Sequence, residues 1–256
     1  MICCQVHDHN VTQTAHYPLQ KRAGNSMKQI GIIGGLGPES TVDYYKRIIE
    51  AFRAEGSLAA PEIVVYSVNM EEVLALVSRQ EWSRLVYLLV AKVKALHRAG
   101  VDFAVISANT PHIVFNEVQA KSPIPLLSIV TETVNKAAEL GLNKVGLLGT
   151  KFTMQSNFFA PPFSARGITV VAPSAADQDY IHDKLMTEIE LGIFTDETRK
   201  GLLAVVERMI AAEHLDGIIL GCTELPLVLH ESECDIPFLN TTAIHVESIV
   251  AYCRRM

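Results

Sequence analysis

The chain repeats itself, and the repeat narrows what it can fold into. Lys28-Gln-Ile-Gly-Ile-Ile-Gly34 matches Asn143-Lys-Val-Gly-Leu-Leu-Gly149 at an offset of 115 residues. Asp102-Phe-Ala-Val-Ile-Ser-Ala108 matches Asp216-Gly-Ile-Ile-Leu-Gly-Cys222 at 114, and Ile124-Pro-Leu-Leu-Ser128 matches Ile236-Pro-Phe-Leu-Asn240 at 112. Three matches in one order at nearly constant spacing point to two copies of one architecture. The first offset also places Tyr44 over Phe159. The expected division is 27–140 and 141–256, with Leu140-Gly-Leu-Asn143 near the junction.

Within each copy, short β-branched runs alternate with helical periodicity. Strands are expected at 30–33, 62–68, 103–107, 126–129, 144–148, 169–172, 217–220 and 238–240. Helices are expected at 41–54, 71–99, 131–140, 181–191, 196–212 and 243–254. Most strand runs are continuously apolar, as befits strands covered on both faces. The fold class is therefore α/β, with parallel sheets and helices on both sides. The apolar spacing from Val73 to Leu96 reads as core packing rather than a partner helix.

Composition sets the outer limits. At 256 residues, 49% hydrophobic and 20% charged, the chain is globular and can bury a large core. The net charge of −6 shows no basic patch, which argues against a nucleic-acid partner. No apolar run reaches the ~18 residues of a membrane span. Five scattered cysteines suit a reducing compartment, so a cytoplasmic protein is expected. Residues 1–26 are polar, lack the apolar run of a signal peptide, and read as a disordered leader or added extension before Met27. Cys3, Cys4, His7 and His9 could be drawn as a metal cluster, but nothing nearby would fix ligand geometry, and no metal is expected.

Ligands of open parallel sheets bind beyond the carboxyl ends of the strands. Two related halves would face each other across such a cleft with matched loops: Gly34-Gly35 and Gly149-Thr150, Ala108-Asn109-Thr110 and Cys222-Thr223-Glu224. Exposed N–H groups there, with Asn and Thr side chains, suit a small carboxylate. Cys222 stands out. A thiol at a helix N-terminus has its pKa lowered towards neutrality and could move a proton; a buried cysteine used as a small hydrophobe is the plain alternative. Cys234 and Cys253 read as structural or incidental.

Taken together, Ile30-Gly-Ile-Ile-Gly-Gly-Leu-Gly-Pro-Glu-Ser-Thr41, Ala108-Asn-Thr-Pro-His112, Leu148-Gly-Thr-Lys-Phe-Thr153 and Gly221-Cys-Thr-Glu-Leu225 resemble the aspartate/glutamate racemase family. The resemblance covers essentially all of 27–256. Ser67-Val-Asn-Met-Glu71 and Thr242-Ala-Ile-His245 look most like its broad-specificity and L-Glu/L-Asp-acting bacterial branch. It implies two Rossmann-like halves related by a pseudo-two-fold, a homodimer, and cofactor-independent racemisation of aspartate or glutamate. In the family's usual pattern two cysteines face opposite sides of the α-carbon. Here Ala108 stands where the first would be, while Cys222 keeps the second. That leaves three explanations. His112 or a water serves the vacant face; or the site runs a one-base reaction, as the related arylmalonate decarboxylases do; or the alanine is an engineered replacement.

The expected substrate-binding set is Gly35, Asn109, Thr110, Thr150, Thr153, Thr223 and Glu224, with helix capping the rival role for the polar members. Glu224 could orient the substrate ammonium or serve as a first-turn helix acid. Lys151 could meet a distal carboxylate or be solvated. Two other function classes compete. Gly34-Gly35-Leu36-Gly37 suggests a dinucleotide enzyme, but Ser40 stands where the closing glycine would fall, and the second strand ends in Ser67-Val68-Asn69 without a ribose-binding acid. Ala108 also permits a non-catalytic amino-acid-binding module.

Overall fold

The computed structural model describes residues 27–53, 58–230 and 234–255, so the readings of Cys3, Cys4, His7 and His9 lie outside it. The first half runs β1 (Ile30–Gly34), α1 (Pro38–Arg53), β2 (Ile63–Ser67), α2 (Met70–Ser78), α3 (Trp82–Arg98), β3 (Phe103–Ile106), α4 (Phe115–Ala120), β4 (Leu126–Leu127) and α5 (Ile129–Glu139). The second runs β5 (Lys144–Leu148), α6 (Lys151–Gln155), α7 (Ala160–Ser164), β6 (Thr169–Val171), α8 (Ala175–Thr187), α9 (Asp196–Glu213), β7 (Gly217–Leu220), β8 (Phe238–Asn240) and α10 (Thr241–Arg254). The sheets are all parallel, in orders β2-β1-β3-β4 and β6-β5-β7-β8, the same topology twice. Among the described residues no helix is long and apolar enough to cross a membrane.

The repeated residues repeat because they do the same jobs. Asp102 and Asp216, matched at offset 114, each accept backbone N–H groups entering the first strand of their sheet. Gln29 N lies 2.7 Å from Asp102 Oδ2, and Asn143 N lies 2.8 Å from Asp216 Oδ2. Ser128 and Asn240, matched at 112, are the N-caps of α5 and α10, accepting from Thr131 N and Ala243 N. Tyr44 and Phe159 are both fully buried.

Between these fixed points the halves diverge. The counterpart of α1 is two short helices, α6 and α7, and α7 starts only at Ala160, just ahead of Pro161-Pro162, where proline suits a first turn and not an interior. The single helix expected over 71–99 is broken. Gln80 takes a left-handed φ of 54° between α2 and α3. The break lets Val73, Leu76 and Val77 of α2 and Leu85, Leu89 and Val93 of α3 share one core cluster.

The closing helix of each half packs on the other half's sheet. Val246, Ile249, Val250 and Cys253 of α10 join Ile30, Ile32, Phe103 and Val105 of the first sheet and Tyr44, Ile48 and Phe52 of α1. Ile129, Val130, Val134 and Ala137 of α5 join Val145, Leu147, Ile219 and Leu239 of the second. A buried polar link fastens the exchange: His245 Nδ1 accepts from Tyr44 Oη at 2.9 Å, and its Nε2 donates to Leu127 O at 3.2 Å. Burial pushes the His245 pKa down to about 3, so the ring is neutral. Ile249 is fully buried in this exchange. Ile249→Ala should cost about 2–5 kcal/mol, read by urea denaturation, with both halves lost in one transition. Two separated transitions would contradict the mutual dependence of the sheets.

Candidate active site

Loops from the carboxyl ends of both sheets meet around a cavity of about 50 Å³. The first half contributes Leu36, Met70, Val73, Leu74, Val77 and residues 108–111; the second contributes Thr150, Met186, Glu190 and residues 221–224. Ala108 and Cys222, matched by the repeat, thus line one pocket. Leu36, Met70, Val73, Leu74, Val77 and Met186 make an apolar wall. Among the described lining residues there is no lysine, arginine or histidine.

Cys222 is buried between two carboxyl groups. Its Sγ lies 3.1 Å from Glu224 Oε2 and 3.5 Å from Glu190 Oε1, and its one proton serves the nearer. Thr223 Oγ1 also donates to Glu224 Oε2, at 2.9 Å. The other Glu224 oxygen, Oε1, is buried without a hydrogen-bond partner. The expected lowering of the thiol pKa is overturned. Burial, then Glu224 and Glu190, push it well above the ordinary cysteine value. The helical segment after Cys222 is only a 3-10 turn, Leu225–Leu227, too short a dipole to outweigh two carboxyls. Cys222 is therefore a resting thiol.

Glu190 escaped the sequence reading. It sits on a 3-10 turn, Ile189–Leu191, beyond α8, at no strand end and in no motif. Its neighbour Glu188 faces Lys184 and Thr198 instead. Burial, then the nearby Glu224, raise the Glu190 pKa to about 7. Burial likewise raises that of Glu224. The pair titrates as a unit.

Other expected residues fall into two groups. Thr110, Thr150, Thr223, Glu224 and Asn109 line the pocket. Asn109 differs in role from the expected donor: its Nδ2 donates to Thr241 Oγ1 at 3.1 Å, leaving Oδ1 without a partner. Thr153 lies behind the pocket. Its Oγ1 is 3.3 Å from that of Thr110 and 3.1 Å from that of Thr150, and its N–H donates to Thr150, the N-cap of α6. Three hydroxyls sharing two contacts leave one O–H over, and when Thr153 donates it belongs to Thr110 or Thr150, which line the pocket.

His112 and Gly35, expected in the site, are engaged elsewhere. His112 does not line the pocket; it packs on Phe115, its Nδ1 donates to Ala108 O at 2.8 Å, and its Nε2 accepts from Ile129 N at 3.3 Å. Burial lowers its pKa to about 4. Both nitrogens are spent, and no proton is available for the face at Ala108. Gly35 turns the chain at φ 82°, and its N–H already donates to Thr41 Oγ1 at 2.9 Å, so it shapes the loop and does not bind. Lys151 is paired with Asp179. The dinucleotide alternative also fails on geometry: a Cβ at Gly37 would lie 2.5 Å from Glu224 Oε1 and 3.0 Å from Glu190 Oε2, where a pyrophosphate would meet carboxyl oxygens.

With this geometry in place, known proteins can be set beside it. The Asp/Glu/Hydantoin racemase family profile matches residues 33–249. The broad specificity amino-acid racemase RacX of Bacillus subtilis is 26% identical over 227 residues, which is 87% of this chain and 96% of that protein. An aspartate racemase homologue from Pyrococcus horikoshii superposes with a TM-score of 0.79 at 33% identity, over 90% of this chain and all of that one. A candidate Asp/Glu racemase from Yersinia pestis gives 0.82 at 32%, with the same coverage.

Proposed function

The chain belongs to the Asp/Glu/Hydantoin racemase family, and from that premise we propose that it racemises a free α-amino acid without a cofactor, with Cys222 as the thiol acid/base. The observation that carries the reading is the buried Cys222 thiol, held at 3.1 Å from Glu224 in a pocket that the matched Ala108 also lines. The α-ammonium goes to Glu190 and Glu224, the acceptors beside the thiol. Thr110 or Thr150, whichever accepts from Thr153, supplies a hydroxyl donor for the α-carboxylate.

This placement explains how a thiol with a raised pKa can act. Both carboxyls oppose a negative sulfur; a bound ammonium offsets them and brings the thiolate within reach. Cys222 passes its proton to Glu224 and takes the α-hydrogen, or in the other direction gives its proton to the carbanion. The opposite face meets only the methyl of Ala108, which can neither give nor take a proton. Exchange at that face relies on water, so α-hydrogen exchange is faster at the Cys222 face, while interconversion of the enantiomers is slow in both directions.

The sequence pointed to aspartate or glutamate. A second carboxylate would enter a pocket holding two carboxyls, with no cation among its described lining residues. The wall of Met70, Val73, Leu74, Val77 and Met186 suits an uncharged or cationic side chain better, in keeping with a relative named for broad specificity. Isothermal calorimetry against acidic, neutral and basic amino acids tests this: the neutral or basic members should bind more tightly, and preferential binding of aspartate or glutamate would overturn it. Binding should also tighten as pH rises through about 7, where Glu190 ionises to face the ammonium. Flat affinity across that range would remove Glu190 from ammonium binding.

A further inference from the structure

We propose that Cys222, Glu190 and Glu224 form a site for a thiophilic divalent cation of the zinc or cobalt(II) class, and that such a cation excludes the amino acid from the pocket. This goes beyond racemisation; the cation site stands on its own geometry, while the exclusion of the amino acid rests on the proposed binding of its ammonium by Glu190 and Glu224. One ligand atom from each residue lies within 4.8 Å of the others. Around a tetrahedral ion with bonds of about 2.3 Å to sulfur and about 2.1 Å to oxygen, sulfur and oxygen ligands stand about 3.6 Å apart. Cys222 Sγ stands 3.1 Å from Glu224 Oε2 and 3.5 Å from Glu190 Oε1, so a small opening of the first separation would seat the ion.

Two further observations point to an occupant. Glu224 Oε1 is buried with no hydrogen-bond partner, so the cluster keeps an acceptor unused in the protein. The spot a Gly37 Cβ would occupy lies 2.5 Å from that oxygen and 3.0 Å from Glu190 Oε2, so the absent side chain leaves a cradle edged by both carboxyls. Three protein ligands leave the fourth position open to the pocket. A sulfur with two carboxylates selects zinc or cobalt over magnesium or calcium, which take six or more oxygens. On binding, the thiol proton leaves to solvent and the sulfur lone pair forms the bond to the metal.

The test is a cobalt(II) titration of the full chain under argon without added thiols, in a Cys3→Ser/Cys4→Ser background so that those two thiols do not contribute. One equivalent should bind with the near-ultraviolet absorption of a cobalt–thiolate bond, and amino acid should compete. Cys222→Ser should abolish the absorption, and Glu190→Gln should weaken binding at least about tenfold. Circular dichroism melts check that both variants fold; if Glu190→Gln does not, Cys222→Ser decides alone. Absorption that survives in Cys222→Ser, or no binding by the parent, overturns the proposal. Chelator should leave α-hydrogen exchange intact or raise it; lost exchange would mean a resident metal and contradict the racemase mechanism, not the cation site.

Discussion

Cys222→Ala should lower α-hydrogen exchange of a bound amino acid by at least the ~10²–10⁴-fold typical of a general acid–base group. The reason is chemical. The methyl group keeps the pocket's shape and removes the only thiol among its described lining residues. Glu224 Oε2 keeps its hydrogen bond from Thr223, so the local fold should hold. Melting temperature and amino-acid affinity separate the two kinds of loss: both should stay near the parent's while exchange disappears. A variant that exchanges at the parent's rate would mean that Glu190 or Glu224 moves the proton directly.

Ala108→Cys should act in the opposite sense. Ala108 ends the segment that repeats as the one ending in Cys222, and both residues line the same pocket. A thiol placed there gives the second face of the α-carbon its own acid/base, and two-way racemisation should rise by ~10²–10⁴-fold. Polarimetry from each pure enantiomer reads it: the parent approaches the racemate slowly from either side, the variant fast from both. The position is tight, 5% exposed, so the added sulfur displaces whatever water serves that face. Unchanged rates in a folded variant would mean that the face at Ala108 is not the one presented to the α-carbon.

Much of this was written in the chain. The repeated segments are buried strands and the residues that cap or anchor them, so the pairs Asp102/Asp216 and Ser128/Asn240 were visible as letters before they were visible as hydrogen bonds. The exchange of α5 and α10 was not. A helix's apolar stripe is the same whichever sheet it covers, and nothing in Val246, Ile249 or Val250 names the first sheet as their partner. The break at Gln80 carried no glycine or proline.

In the site, strand-end residues were legible because parallel sheets always bind there. Glu190 was not, since it arrives from a turn 32 residues before Cys222 and resembles any other acid in sequence. The same residue, with Glu224, reversed the expected direction of the thiol's pKa. His112 failed for the complementary reason: its partners Ala108 O and Ile129 N are backbone groups that only the folded chain brings to both ring nitrogens.

The central claim is that one thiol works one face of the α-carbon. It is tested most directly by following deuterium from heavy water into each enantiomer of a bound amino acid by NMR, in the unsubstituted chain. One enantiomer should exchange much faster than the other, because Cys222 reaches one face and Ala108 offers nothing to the opposite one. Equal, rapid exchange of both would show that another group already fills the face at Ala108, and would contradict the account.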